Sequence, residues 1–323
     1  MSSIGHGPEA SPHPHQPVAL GTHTRRGWWW KTLIVGWVLW LATIIVTVLT
    51  HNVNLVPTLI LLGSFLVPFC MVLFAVERLR GNVTALQLIL AFFASGIAGV
   101  LGASLLEAHL HQSLGLYVLV GLIEEFVKAC ILVVLGWGLV PKTARQGALL
   151  GATVGAGFAA FESAGYAFNA ALGSQGIDVV ALLQTEVVRA LLAPAGHILW
   201  TAIIGAVLFG AAARRTEPDA PGYAWPARVF VAYLGAAVLH ALWDSMSSIA
   251  SLIALVATGN AGQLLQYGFL LRRQADMVQS LSSVFYVCGL VVVSAAGVIA
   301  LWRILGHARR REAAMREAPP LVE

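Results

Sequence analysis

A few acids, imidazoles and cations set inside apolar sequence are the residues of this chain that could do chemistry. Glu124, Glu125 and Lys128 lie in the run 116–140, LYVLVGLIEEFVKACILVVLGWGLV. Glu162 lies in GALLGATVGAGFAAFESAGYAF, His197 in RALLAPAGHILW after Arg189 and Pro194, and His240 and Asp244 in LHALWDS. Lys128 is three and four residues from the two glutamates, so on a helix it reaches either carboxylate, and His240 and Asp244 share a face. Histidine with carboxylate is a zinc ligand set, and catalytic zinc usually takes three protein ligands and one water. Such a metal makes hydroxide near neutral pH and polarises a carbonyl. Without a metal, a buried glutamate can serve as base while a histidine supports an oxyanion. Both routes lead to hydrolysis of an amide. In either, Glu124 or Glu125 takes a proton from water while Lys128 holds the other. His197 and His240 bind a metal or stabilise the oxyanion, and Asp244 orients His240. Glu162 is a ligand or proton carrier. Arg189 holds a substrate backbone or carboxylate near the mouth, or else snorkels to the interface. The tentative metal donors are Glu162, His197, His240 and Asp244.

What must position these groups is a membrane bundle. The 323 residues are 58% hydrophobic and only 11% charged, against about 25% charged in soluble domains. The fold class is therefore all-α, a polytopic transmembrane bundle of about eight spans, expected near 31–50, 55–76, 84–106, 116–140, 147–171, 190–213, 228–256 and 281–305. Residues 1–27 read as a disordered tail whose His6, His13, His15 and His23 have no ordered scaffold for a metal. Residues 28–305 form the bundle, with the site-bearing core at 116–250, and 306–323 a charged tail. Cys70, Cys130 and Cys288 are odd in number and lie in apolar runs, so they read as packing residues. The net charge of +4 belongs to loops and gives no reason to expect a nucleic-acid partner.

Lys and Arg set the orientation. One set of alternating loops carries Arg25, Arg26, Lys31, Arg78, Arg80, Lys142, Arg145, Arg214, Arg215, Arg228 and the arginines from 303 onward. The other has Arg272 and Arg273, apart from Arg189 at a helix entry. By the positive-inside rule both termini are cytoplasmic. At about 1.5 Å per residue, Glu124, Glu162, His197, His240 and Asp244 then all fall roughly 7–15 Å below the outer surface. Four helices of alternating direction deliver ionisable groups to one layer. Four carboxylates there, against Lys128 and Arg189, call for protonation or a bound cation. Gly151 and Gly155 share a face with Glu162, which puts that carboxylate on a helix-packing side. Glu186 and Asp178 are expected to face the outer water.

Taken together, Glu124-Glu125-x-x-Lys128, Gly157-Phe158-Ala159-x-x-Glu162, His197 and His240-x-x-x-Asp244 resemble the PrsW family of intramembrane proteases, within the clan of CAAX-processing and ABI-type membrane proteases. The resemblance covers 116–250. It implies cleavage of a membrane-anchored protein, often an anti-sigma factor, in regulated intramembrane proteolysis. It also implies that Glu124 and Glu125 are the essential glutamates, with His197, His240 and Asp244 as partners in metal binding or oxyanion stabilisation. The expected partners are a single-span substrate and membrane lipids. The competing readings are a non-catalytic scaffold or degenerate homologue and a proton-coupled transporter, which would spread ionisable groups across both membrane halves. Prenyl-protein processing would put the site toward the cytoplasm.

Overall fold

The computed structural model describes residues 27–78, 83–113, 115–173, 176–215, 217–218 and 220–317. The expected N-terminal tail with its four histidines, Arg80 and the end of the chain after 317 lie outside the described residues.

Helices α1 (Trp28–Thr50) and α2 (Val56–Val76) run against each other. Glu77, just past α2, accepts from the backbone N–H groups of Gly27 (2.9 Å) and Trp29 (3.1 Å). That carboxylate satisfies donors that the first turn of α1 would otherwise leave unpaired, at the positive end of its dipole. The third rod is α3 (Ala85–Ala94), a π-helical turn at Ser95–Gly99 and α4 (Val100–Glu107). In the turn, Ser95 Oγ donates to the carbonyl of Val154 at 2.7 Å and so ties this rod to the next layer. Next come α5 (Leu116–Gly136) and α6 (Ala144–Ala171), then a two-residue hairpin of β1 (Leu172–Gly173) and β2 (Gly176–Ile177). Reciprocal capping boxes open two of these helices, Thr84 with Gln87 at α3 and Thr143 with Gln146 at α6.

The sixth rod is broken. It consists of α7 (Val179–Leu192), a 3-10 turn at Ala193–Ala195 and α8 (His197–Ala212). The rod is expected from about residue 190, but it is helical from 179, because Asp178 caps α7 by accepting from the Ala181 N–H at 2.9 Å and an apolar run follows. Pro194 and Gly196 then interrupt the ladder, so His197 becomes the first residue of α8. Last come α9 (Ala227–Ala257), a short α10 (Ala261–Tyr267) with Leu265 88% exposed, and α11 (Arg272–Glu317).

Among the described residues, seven helical rods are long and apolar enough to cross a membrane. Helix α5 has the length and differs from them in carrying Glu124, Glu125 and Lys128. The chain is a multi-pass, all-α membrane protein. Helices α6 and α8 form its centre: 72% of the apolar window of α6 is buried, against 17% for α1 and for α11. Small residues make that centre possible. A Cβ at Gly151 would collide with the Thr201 carbonyl, and one at Gly155 with the His197 carbonyl, so the two backbones touch along the stripe.

Two expectations need correction. Glu186 does not face water: it is 2% exposed and accepts from Trp40 Nε1 at 3.0 Å. Because α7 is part of a rod and not a loop, Glu186 is turned into the bundle, where Gly63 of α2 leaves room for its carboxyl group. Of the cysteines, only Cys70 is packed inside; Cys130 and Cys288 lie on the outer face.

Candidate active site

Helix α5 presents its three ionisable residues to the bundle interior, and all three are buried. Lys128 Nζ lies 2.6 Å from Glu125 Oε1 and 3.5 Å from Glu124 Oε2. It also reaches His197 Nδ1 at 2.8 Å. An ammonium can only donate, so Nδ1 accepts and the ring proton of His197 sits on Nε2. That nitrogen is 3.0 Å from Glu162 Oε2. Glu162 is also paired with the guanidinium of Arg189, whose Nε donates to Ser163 Oγ at 2.8 Å. Helix α7 therefore supports the site through Arg189, which bonds to Glu162 and Ser163.

His240 enters from α9. Its Nδ1 faces Glu125 Oε1 at 3.1 Å, while its Nε2 faces Asp244 Oδ2 at 3.2 Å and Glu124 Oε2 at 3.7 Å. With carboxylate oxygens on both edges, the ring needs positive charge beside it. An N–H toward Glu125 and either a proton or a metal ion at Nε2 would supply that. Trp200 of α8 stacks on this ring, centroids 4.6 Å apart, and Phe158 of α6 lies under the Lys128 ammonium at 4.3 Å. Both aromatic faces fix the charged groups while keeping water off them.

The structure thus brings Glu124, Glu125, Lys128, Glu162, Arg189, His197, His240 and Asp244 into one connected cluster. Four carboxylates face two cationic side chains there, an excess of two negative charges that a single divalent ion would neutralise. Glu124, His197 and His240 each offer a ligand atom, all within 4.8 Å of one another. These donors suit a divalent metal once Lys128 turns off His197 Nδ1 and leaves that nitrogen to the ion: two imidazoles and one carboxylate, with a fourth position left for water. Of the four residues expected to ligate, the two histidines belong to this group. Glu124 supplies its carboxylate, Asp244 adjoins it through His240, and Glu162 lies on the far side of the His197 ring. Glu125 is placed as an outer carboxylate that fixes the His240 ring.

Beside the cluster is a pocket of about 240 Å³, lined by Glu162, Ser163, Tyr166, Arg189, His197 and Asp244 among others. Asp244 is the most open acid of the cluster, its side chain 29% exposed. Several neighbours escaped the sequence analysis. Glu107 at the end of α4 interacts electrostatically with Glu124, Glu162 and Asp244, and its Oε1 is buried without a hydrogen-bond partner. An acid closing an apolar run was the available signal. Ser163 and Trp200 are ordinary residues for a membrane helix, and nothing in their spacing marks them; Phe158 stands in the quoted motif, but its place under Lys128 does not follow from spacing.

Buried acids and imidazoles converging from α5, α6, α8 and α9 on a polar pocket inside a multi-pass bundle define a membrane-embedded hydrolase. The chain belongs to the PrsW family of intramembrane metalloproteases, whose family model matches residues 79–271. It is a peptidase acting within the membrane, and the matched region contains every residue of the cluster. No curated protein and no solved structure matches the chain.

The contact between α6 and α8 gives a direct test of positioning. Gly155→Val would push against the His197 carbonyl, and overpacking of this kind costs about 1–3 kcal/mol. A displacement of about 1 Å in a site can cost about 100-fold in rate. Gly155→Val is therefore expected to slow cleavage by roughly that factor while Gly165→Val, at a position with open space around it, does not. Equal rates for the two variants, measured on one reporter, would show that the close approach does not set His197.

Proposed function

We propose that the protein cleaves single-span membrane proteins, anti-sigma-factor-like in topology, near the extracytoplasmic end of the span, with both of its own termini in the cytoplasm. The Lys and Arg distribution supports the orientation. The observation that carries the catalytic reading is His240, whose Nε2 is turned toward Glu124 and Asp244 while Glu125 takes Nδ1. Glu124, His197 and His240 would hold a zinc ion. Bound there, it would supply a hydroxide at neutral pH and polarise the scissile carbonyl.

The chain's own residues do the rest. Glu125, neutralised by Lys128, keeps the His240 ring in register, and Glu162 with Arg189 does the same for His197. Asp244 Oδ2 takes the proton of the attacking water and returns it to the departing amine, since it is the open acid at the pocket. Arg189 presents its remaining donors to the substrate backbone.

One observation favours a second reading. Lys128 Nζ stands within 2.8 Å of His197 Nδ1 and 3.5 Å of Glu124 Oε2, where it already supplies positive charge to two of the three donors. In that case Glu124 is the base, no metal is needed, and His240 as a cation supports the oxyanion.

The test is a reconstituted cleavage assay on single-span reporters tagged at both ends, with fragments sized by mass spectrometry. A cut within about the outer third of the reporter's span is expected. A cut on the cytoplasmic side, or cleavage confined to soluble peptides, overturns the proposal.

A further inference from the structure

A second cavity, sharing no residue with the polar pocket, lies between α8, α9 and α11. It is a cleft of about 730 Å³. Small side chains hollow it out: Ala206 and Gly210 on α8, Ala232 and Gly235 on α9, Ala296 and Ala300 on α11. Val231 stands on its rim and is 66% exposed, so the cleft opens sideways toward lipid. Its walls are apolar almost throughout.

One end is the opposite. Arg214, Arg228, Arg303 and Arg311 all line it. They come from three separate stretches of chain, just past α8, in the first turn of α9 and on one face of α11, where 303 and 311 are about two turns apart. No carboxylate lines the cleft, and none of the four has an ion-pair partner among the described residues. Arg214 is held below its ordinary pKa by desolvation and by the like charges of Arg228 and Arg311. Guanidinium groups facing one another without an acid repel, and an anion between them would offset this.

We propose that this cleft is a binding site for an anionic phospholipid, its phosphate held by the four arginines and one acyl chain laid in the apolar groove. Guanidinium pairs with phosphate through two parallel N–H donors, and basic pockets between membrane helices are suited to such headgroups. A free phosphate would leave the apolar groove unfilled. The positive-inside rule alone is satisfied by basic residues anywhere in these loops, as by Arg309 and Arg310, which do not line the cleft. A lipid seated here pins α11 to α8 and α9, the two helices that carry His197 and His240.

The experiment uses the full chain in detergent, incubated with dioleoylphosphatidylglycerol or dioleoylphosphatidylcholine, with retained lipid counted by native mass spectrometry and unfolding temperature recorded. The anionic lipid is expected to be retained about tenfold better than the zwitterionic one, from the basic side chains that face its headgroup. Arg228→Gln with Arg303→Gln should abolish that preference, and Arg309→Gln with Arg310→Gln should keep it. Gly235→Leu leaves every charge in place and enters open space, so it folds and blocks the groove; retention should fall with it too. Equal retention of the two lipids, an equal loss in both double variants, or unchanged retention in Gly235→Leu overturns the proposal. Displacement by glycerol 3-phosphate at equal concentration would make the cluster a site for free anions and also overturn it.

Discussion

Glu124→Gln and Glu125→Gln are both expected to stop cleavage, and to differ in what else they do. Glu125 is fully buried, and its Oε1 receives both Lys128 at 2.6 Å and His240 Nδ1 at 3.1 Å. A neutral amide there leaves a buried ammonium without its nearest counter-charge, and breaking a buried pair in this way costs about 3–5 kcal/mol. Glu125→Gln should therefore lower the unfolding temperature markedly as well as the rate. Glu124 is only 3.5 Å from Lys128 and 3.7 Å from His240, and its side chain is 7% exposed. Its charge is less committed to holding the fold. Glu124→Gln should lower the rate by at least about 100-fold, through loss of a metal donor or, in the metal-free reading, of the base itself, with a much smaller change in unfolding temperature. Cleavage of one reporter, set against thermal unfolding in the same detergent, separates the two roles. Full activity in Glu124→Gln, or equal destabilisation by the two substitutions, removes the division of labour between them.

The helices were legible because apolar runs of this length have few other uses, and the acids of α5 because charge inside such a run is expensive. The stripe of Gly151 and Gly155 was legible for a related reason: small residues on one face of a membrane helix admit a second backbone, and the His197 carbonyl is what arrives. What spacing does not carry is the third dimension. The i, i+4 relation of His240 and Asp244 gives a shared face, but only packing decides that Nε2 meets Asp244 and Glu124 while Nδ1 meets Glu125. Glu162 was the expected carboxylate ligand and Glu124 a base; it is Glu124 that groups with the two histidines, because α6 and α5 approach His197 from opposite edges of its ring. Glu186 was misread for a local reason. Its stretch has three charged residues between 178 and 189 and reads as a loop, yet α7 is a packed helix, and Trp40 provides the partner that a buried carboxylate requires. The break that places His197 at the head of α8 was signalled by Pro194, though not its extent, which also takes in Gly196.

Removing the metal is expected to have the second large effect, and metal content is its readout independent of rate. Wild-type protein purified without chelator should carry about one zinc ion per chain, as three protein donors predict. His240→Ala and His197→Ala each remove a donor and should bring the content close to zero. Glu162→Gln removes an outer carboxylate, one that touches His197 Nε2 at 3.0 Å, and should weaken retention by about 10–100-fold without abolishing it. A strong chelator should then silence cleavage, and added zinc restore it in wild type and in Glu162→Gln but not in the histidine variants. The ordering matters more than any one value, because a loss of fold would lower all variants together. Chelated, metal-free protein that cleaves at the full rate would remove zinc from the mechanism. Lys128 would then be the cation of the site, and Lys128→Met, neutral and of similar reach, would be the variant that loses the most.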